Sequence, residues 1–170
     1  LLVLGAYVVL SADDSASVLV SRDVYLMGTR ARLSAYADTH GQGLATLETA
    51  LRVIEEAEEE LSTWRDSSQI SALNRHPVGQ AWTTGPRLCL MFGDVWGWYR
   101  ATAGAFDPAI GRLLATWDIH GAGAISSDEA RLAALASSGL ALLEFDRERC
   151  TLTRRAEVTV DVGAFGKGEA

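Results

Sequence analysis

A chain of 170 residues with 48% hydrophobic and 22% charged residues has the size and composition of one folded domain, which excludes a disordered segment and a membrane bundle. Lys plus Arg number 15 against 22 Asp plus Glu, and the formal charge of −7 argues against nucleic-acid binding through the overall field. An anionic ligand would have to be held by local backbone donors or by a metal ion.

Leu1 to Ala12 is an apolar run without a charge, too short to span a bilayer and of the length of a signal-peptide h-region. Small residues at Ser11, Ala12, Ser15 and Ala16 supply cleavage positions, and no Cys follows to accept a lipid. A buried strand is the competing reading. The export signal is favoured, with residues 1–16 as a leading segment and 17–170 as part of one domain. The chain stops inside a glycine-rich turn, Gly163 to Ala170, so the sequence reads as a piece of a longer domain.

In chain order, the alternation of Ala31, Leu33, Ala35 and Ala37 with Arg30, Arg32, Ser34 and Tyr36 predicts one long strand over Val24–Ala37, closed by His40 to Gly43. Leu44, Leu47, Leu51, Ile54 and Leu61 then fall at helical spacing. The acidic run Glu55, Glu56, Glu58, Glu59 and Glu60 is its solvated face. Asp66 to Gln69 has the form of a capping box opening a short helix to about Arg75. Pro86 suits the first turn of another helix, with Leu88, Phe92, Val95 and Tyr99 on one side and Gly104 beyond its end. Ser126 to Glu129 starts a further helix that Gly139 ends. The tail reads as strands over Leu140–Phe145, Thr151–Thr153 and Glu157–Val162, the last with Val158, Val160 and Val162 on one face. A strand, several helices and then clustered strands indicate an α+β fold.

Two cysteines, Cys89 and Cys150, form neither a CxxC pair nor a Cys/His cluster. The sequence does not decide a disulfide between them, and two buried thiols acting as small hydrophobes is the simpler reading.

Generic catalytic motifs are weak. Gly163 to Gly168 resembles a phosphate loop, but the spacing is wrong for a P-loop and Gly168 stands where a magnesium-binding Ser or Thr is needed. Gly121-Ala122-Gly123 lacks the third glycine of a dinucleotide fingerprint. His40, His76 and His120 are isolated and read as loop residues, and no nucleophile pattern identifies a catalytic residue. Two places remain. Asp161 sits in a valine-rich stretch ahead of the glycine-rich turn, and Gly104 to Pro108 fixes a carboxylate before a proline. From the residues alone, each is either a structural turn or a ligand site.

Four segments in order, over residues 23–169, carry a resemblance. Met27-Gly28-Thr29 is similar to an opening MGT motif. Leu61 to Arg65, with Asp66 to Ile70 and Leu73-Asn74, resembles an "STW/Y…DSEIS.LN" segment. Gly104 to Pro108, with Gly111 and Trp117, resembles "GAFDPTVGPL…W", and Val160 to Gly168 resembles "LDLGGIAKG". Together they resemble the N-terminal part of the ApbE-type FAD:protein FMN transferases.

The resemblance implies an ApbE-like, T-fold-like α+β architecture, with antiparallel or mixed sheets flanked by helices and a C-terminal part absent from this chain. It implies that Met27 and Trp64 pack near the flavin or its nucleotide, with core packing as the alternative for both. It places Ala105, Phe106 and Asp107 along the pocket, Asp161 and Lys167 in contact with FAD, and the Ala164 carbonyl on magnesium. Lys167 has a second reading, a solvent-exposed lysine on a turn. The implied reaction is magnesium-dependent transfer of FMN from FAD to a Thr or Ser hydroxyl of an acceptor flavoprotein, with AMP leaving. The acceptor would be a subunit of a membrane-associated or exported redox system. The location implied is the periplasm or cell envelope, and the 170 residues alone are expected to be inactive. An FAD pyrophosphatase releasing FMN and AMP, and a non-catalytic FAD-binding module, are the alternatives.

Overall fold

The computed structural model describes residues 17–119 and 121–169, so the leading segment 1–16 lies outside the described residues. The chain divides into two compact units, one running to Arg52 and the other beginning at Val53, and the division falls inside a helix.

The first unit is a hairpin and the start of that helix. β1 (Val18–Leu26) and β2 (Thr29–Ala37) pair antiparallel in register from Val18↔Ala37 to Leu26↔Thr29. The stretch read as one strand from Val24 is therefore two strands. The inward positions shift from even (Val20, Val24, Leu26) to odd (Ala31, Leu33, Ala35, Ala37) across the reversal, a change of phase that reading Val24–Ala37 as one strand passes over. The two loop residues, Met27 at φ 48° and Gly28 at φ 71°, have the doubly positive φ of a type I′ turn. Asn-Gly usually marks such turns, and Met at the first position hides this one. Leu19, Ser21, Asp23 and Tyr25 pair with Tyr36, Ser34, Arg32 and Arg30, and all eight are exposed.

α1 (His40–Leu61) follows. Its start is fixed by a reciprocal box in which Gln42 N–H donates to Thr39 Oγ1 and Thr39 N–H donates to Gln42 Oε1. Gly43 sits against Val20: a Cβ there would stand 2.4 Å from Val20 Cγ2, so only glycine permits this approach. Val20 and Leu47 are each 3% exposed.

In the second unit, α2 (Gln69–Arg75) is capped by Ser68, whose side chain accepts the Ser71 N–H. β3 (Ala81–Thr83) precedes α3 (Pro86–Ala101), with Pro at its first turn as expected. α4 (Gly111–Thr116) and α5 (Asp128–Ala136) come next, and Ser127 caps α5 through the Ala130 N–H. A 3₁₀ turn at Leu140–Leu142 leads into β4 (Leu143–Asp146) and β5 (Thr151–Arg154), and α6 (Gly166–Glu169) ends the described residues. The sheet is antiparallel in the order β3-β5-β4.

The core joins Leu61, Ile70 and Leu73 to Leu88, Met91, Phe92 and Val95 of α3, to Leu140, Leu143 and Leu152, and to Val158, Val160, Val162 and Phe165. Each fully buried side chain of this kind contributes about 1.5–3 kcal/mol. Cys89 of α3 and Cys150 of the β4–β5 turn form a disulfide with Cα atoms 5.3 Å apart. The reading of two buried thiols is thereby corrected: the pairing depends on the β4–β5 turn returning to α3, which sequence spacing does not reveal.

Residues 157–162 are not a strand. Val158, Val160 and Val162 do share a buried face, as the alternation indicates, but among the described residues no strand pairs with the segment. Its polar backbone is bonded by other means, which build the site below. Arg154, 4% exposed, helps anchor it: Nε donates to the Val158 carbonyl at 2.8 Å and Nη1 to the His76 carbonyl at 2.6 Å. Among the described residues no helix is long and apolar enough to cross a membrane.

Candidate functional site

The first wall of the site grows from the end of α3. Ala103 N–H donates to the Arg100 carbonyl and Gly104 N–H to the Tyr99 carbonyl, the double closure of a Schellman motif. Ala103 (φ 51°) and Gly104 (φ 83°) both take positive φ. Thr102 Oγ1 then accepts the Phe106 N–H at 3.0 Å. Phe106 is held edge-on between Trp98, 5.6 Å away between ring centres, and Phe165, 6.1 Å away. Since Phe165 belongs to the glycine-rich turn, two segments picked out in the sequence meet at this aromatic contact.

Asp107 faces inward to its own chain. Oδ1 accepts the Ala109 N–H at 2.8 Å, and both carboxylate oxygens accept the Leu140 N–H, at 3.1 and 2.9 Å. Gly139 N–H adds a bond to the Ala109 carbonyl at 2.8 Å. The carboxylate is thus engaged with backbone donors and fixes the turn that carries Ala105 and Phe106.

The second wall is the segment 158–168. Asp161 N–H donates to the Pro108 carbonyl at 2.8 Å, and Gly111 N–H donates to the Thr159 carbonyl at 3.0 Å. From the α2 side, Asn74 Nδ2 donates to the Val160 carbonyl and Asn74 Oδ1 accepts the Val160 N–H, both at 2.8 Å. After Asp161, whose Oδ1 accepts the Gly163 N–H at 2.8 Å, the chain turns. Phe165 and Gly166 N–H both donate to the Val162 carbonyl. Ala164 and Lys167 are exposed on this turn.

The second unit therefore brings Ala105, Phe106 and Asp107 against the segment carrying Asp161, Ala164 and Lys167. Trp64 lies on the loop after α1, 68% exposed, with its N–H donating to Ser62 Oγ. That loop is pinned by the Ser62 carbonyl, which accepts the hydroxyls of both Ser68 and Ser71. Met27 sits half-buried at the hairpin turn of the first unit. Sequence reasoning gave no separate role to Asn74, Pro108, Gly111 or Thr159. The first three stood within or beside the quoted motifs, which was the available signal.

An open cavity of about 630 Å³, lined by Glu56, Glu59, Glu60, Arg65, Ser67 and Gln69, lies beside the acidic face of α1. None of the expected ligand residues lines it. Magnesium fits the described residues poorly. Among them no three His, Cys, Asp or Glu side chains converge to hold a cation, and the one expected donor, the Ala164 carbonyl, does not make a site for an ion that takes six oxygens.

The architecture is that of the ApbE proteins. The chain is similar to the ApbE protein of Thermotoga maritima, with a TM-score of 0.78 at 23% identity over 88% of this chain and 49% of that one. It is similar to the flavin transferase ApbE of Vibrio cholerae, with a TM-score of 0.77 at 25% identity over 89% of this chain and 50% of that one. The apo flavinyl transferase ApbE of Pseudomonas stutzeri gives 0.73 at 21% identity, over 86% and 48% of the two chains. The chain thus spans about half the length of the structures it matches. No curated protein matches it. The ApbE family model matches residues 27–170, and the chain belongs to the ApbE family.

Proposed function

We propose that the protein transfers FMN from FAD to a Thr or Ser hydroxyl of an acceptor flavoprotein, releasing AMP. The observation that carries this reading is the meeting of the Gly104–Pro108 turn with the Asp161–Lys167 turn, through the Pro108 to Asp161 and Gly111 to Thr159 bonds, in a chain of the ApbE family. Flavin transfer is the activity named for the Vibrio cholerae and Pseudomonas stutzeri structures.

In this reading the acceptor hydroxyl attacks the FMN-side phosphorus of the FAD pyrophosphate. The new O–P bond forms, the bridging P–O bond breaks, the hydroxyl proton is lost, and AMP leaves with the bridging oxygen. Such transfer depends on positioning and on neutralising charge around phosphorus. The N–H groups of Gly163, Phe165, Gly166 and Gly168 are engaged within the turn, so the exposed Lys167 is the group there that supplies a mobile positive charge for a phosphate. Ala105 and Phe106 supply an apolar wall, fixed by Asp107. Trp64 and Met27 are proposed flavin or nucleotide contacts. Magnesium dependence belongs to the proposal for the protein at its natural full length. The described residues do not assemble a site for the ion. Residues 1–170 alone are proposed to be inactive.

The acceptor is proposed to be a subunit of an exported or membrane-associated redox system, and the protein itself to work in the periplasm or cell envelope. The Cys89–Cys150 disulfide supports that location, since such bonds persist in oxidising compartments. The test is incubation of the protein at its natural full length with FAD and magnesium, with and without an acceptor domain. AMP that appears only with the acceptor supports the transferase. Equal AMP without it makes the protein a pyrophosphatase, and FAD held with no AMP makes it a binding module.

A further inference from the structure

We propose that Asn74 is a positioning residue for the flavin site, setting through Val160 where Asp161 and the glycine-rich turn stand. The bracket is a matter of geometry. That the turn holds FAD rests on the proposed function.

Asn74 makes both bonds that a neighbouring strand would make to one residue, and it does so from 86 positions away. Val160 is 2% exposed, so water cannot replace either bond. Leu73, 1% exposed in the core, anchors α2 beside it. Arg154 holds the Val158 carbonyl two residues earlier, and the bonds from Gly111 to Thr159 and from Asp161 to Pro108 come from the opposite wall and are single. Arg154 links Val158 to the end of α2, but Asn74 is the α2 side chain that holds the segment directly, with two bonds, one residue ahead of Asp161. The chemistry is selective. An amide offers a donor and an acceptor in one plane, an ionised carboxylate has no donor for the Val160 carbonyl, and alanine offers neither.

The test uses the protein at its natural full length, unaltered and as Asn74→Ala, with Ser127→Ala as a control that removes the α5 cap away from the site. FAD titration followed by flavin fluorescence is read beside hydrogen exchange of residues 159–168. The expected result is FAD binding at least tenfold weaker in N74A, with S127A unchanged although it also loses stability. Exchange over 159–168 should rise about tenfold while the α5 amides hold their rates. In the unaltered protein the Val160 amide should be protected although no strand among the described residues pairs with it, a measurement that stands even if N74A does not fold. Unchanged FAD affinity in N74A, equal losses in S127A, or an unprotected Val160 amide would each overturn the proposal. If the unaltered protein takes up no FAD, the proposed function fails, while the exchange data still decide the role of Asn74.

Discussion

The carboxylate of Asp107 receives the Leu140 N–H through both of its oxygens, at 3.1 and 2.9 Å, across 33 positions of sequence. One side chain thereby ties the turn after α3 to the turn before β4. Asp107→Ala would leave the Ala109 and Leu140 donors without this acceptor and should cost about 2–3 kcal/mol, since charged hydrogen bonds are each worth more than neutral ones. Asp107→Asn keeps Oδ1 and should cost about half as much. Chemical denaturation of both variants checks the order.

Gly111 is required for space. A Cβ would stand 2.6 Å from Thr159 Oγ1 and 3.1 Å from the Thr159 carbonyl oxygen. Gly111→Ala should therefore destabilise by about 1–3 kcal/mol through overpacking. Adding Thr159→Ala should restore only part of the loss, because the carbonyl remains. A double-mutant cycle of unfolding free energies measures that coupling.

The Cys89–Cys150 bond closes a loop with a sequence separation of 61. Loop-closure entropy for that length stabilises the folded state by about 4 kcal/mol. Reduction, or Cys89→Ser with Cys150→Ser, should lower the denaturation midpoint and steepen the unfolding slope, because the unlinked chain exposes more surface when unfolded. An unchanged midpoint with and without reductant would show that the bond does not stabilise the fold.

Asp146 sits at the β4–β5 turn, where the Arg149 N–H holds its carboxyl below the usual carboxylate range, helped by the Arg149 guanidinium and the Glu148 N–H. A depressed folded pKa stabilises the fold above the unfolded value of about 3.9, and that contribution is lost as pH falls through the folded midpoint. Carboxyl titration by NMR should give an Asp146 midpoint below 3.8, the ordinary value. In Arg149→Ala the midpoint should move up part of the way, because the backbone donors remain.

The helices were legible because their signals are local. Pro86 opens α3 as the pattern places it, while the caps of α2 and α5, Ser68 and Ser127, stand two and one residues beyond the Asp66 and Ser126 that the capping-box patterns begin with. The Met27 turn was not, because positive φ at a Met leaves no compositional mark. Val158, Val160 and Val162 were read correctly as sharing one face, while the secondary structure of the segment was not, because alternation reports which residues share a face and not the bonding partner. Here those partners include Asn74, Pro108 and Gly111, all remote in sequence, beside the nearby Arg154. The short helix α4 has too few residues to show a period. The site followed the same logic. Its segments stood out as odd turns, but the Asp107 to Leu140 tie and the Phe106 to Phe165 contact exist only once the chain is folded.

The central claim is tested most directly by the intact mass of an acceptor domain after incubation with the protein at its natural full length, FAD and magnesium. The account predicts an acceptor heavier by one FMN, with an equal amount of AMP released and no gain when magnesium is chelated. An acceptor of unchanged mass, with FAD intact or with AMP formed regardless of the acceptor, would contradict it.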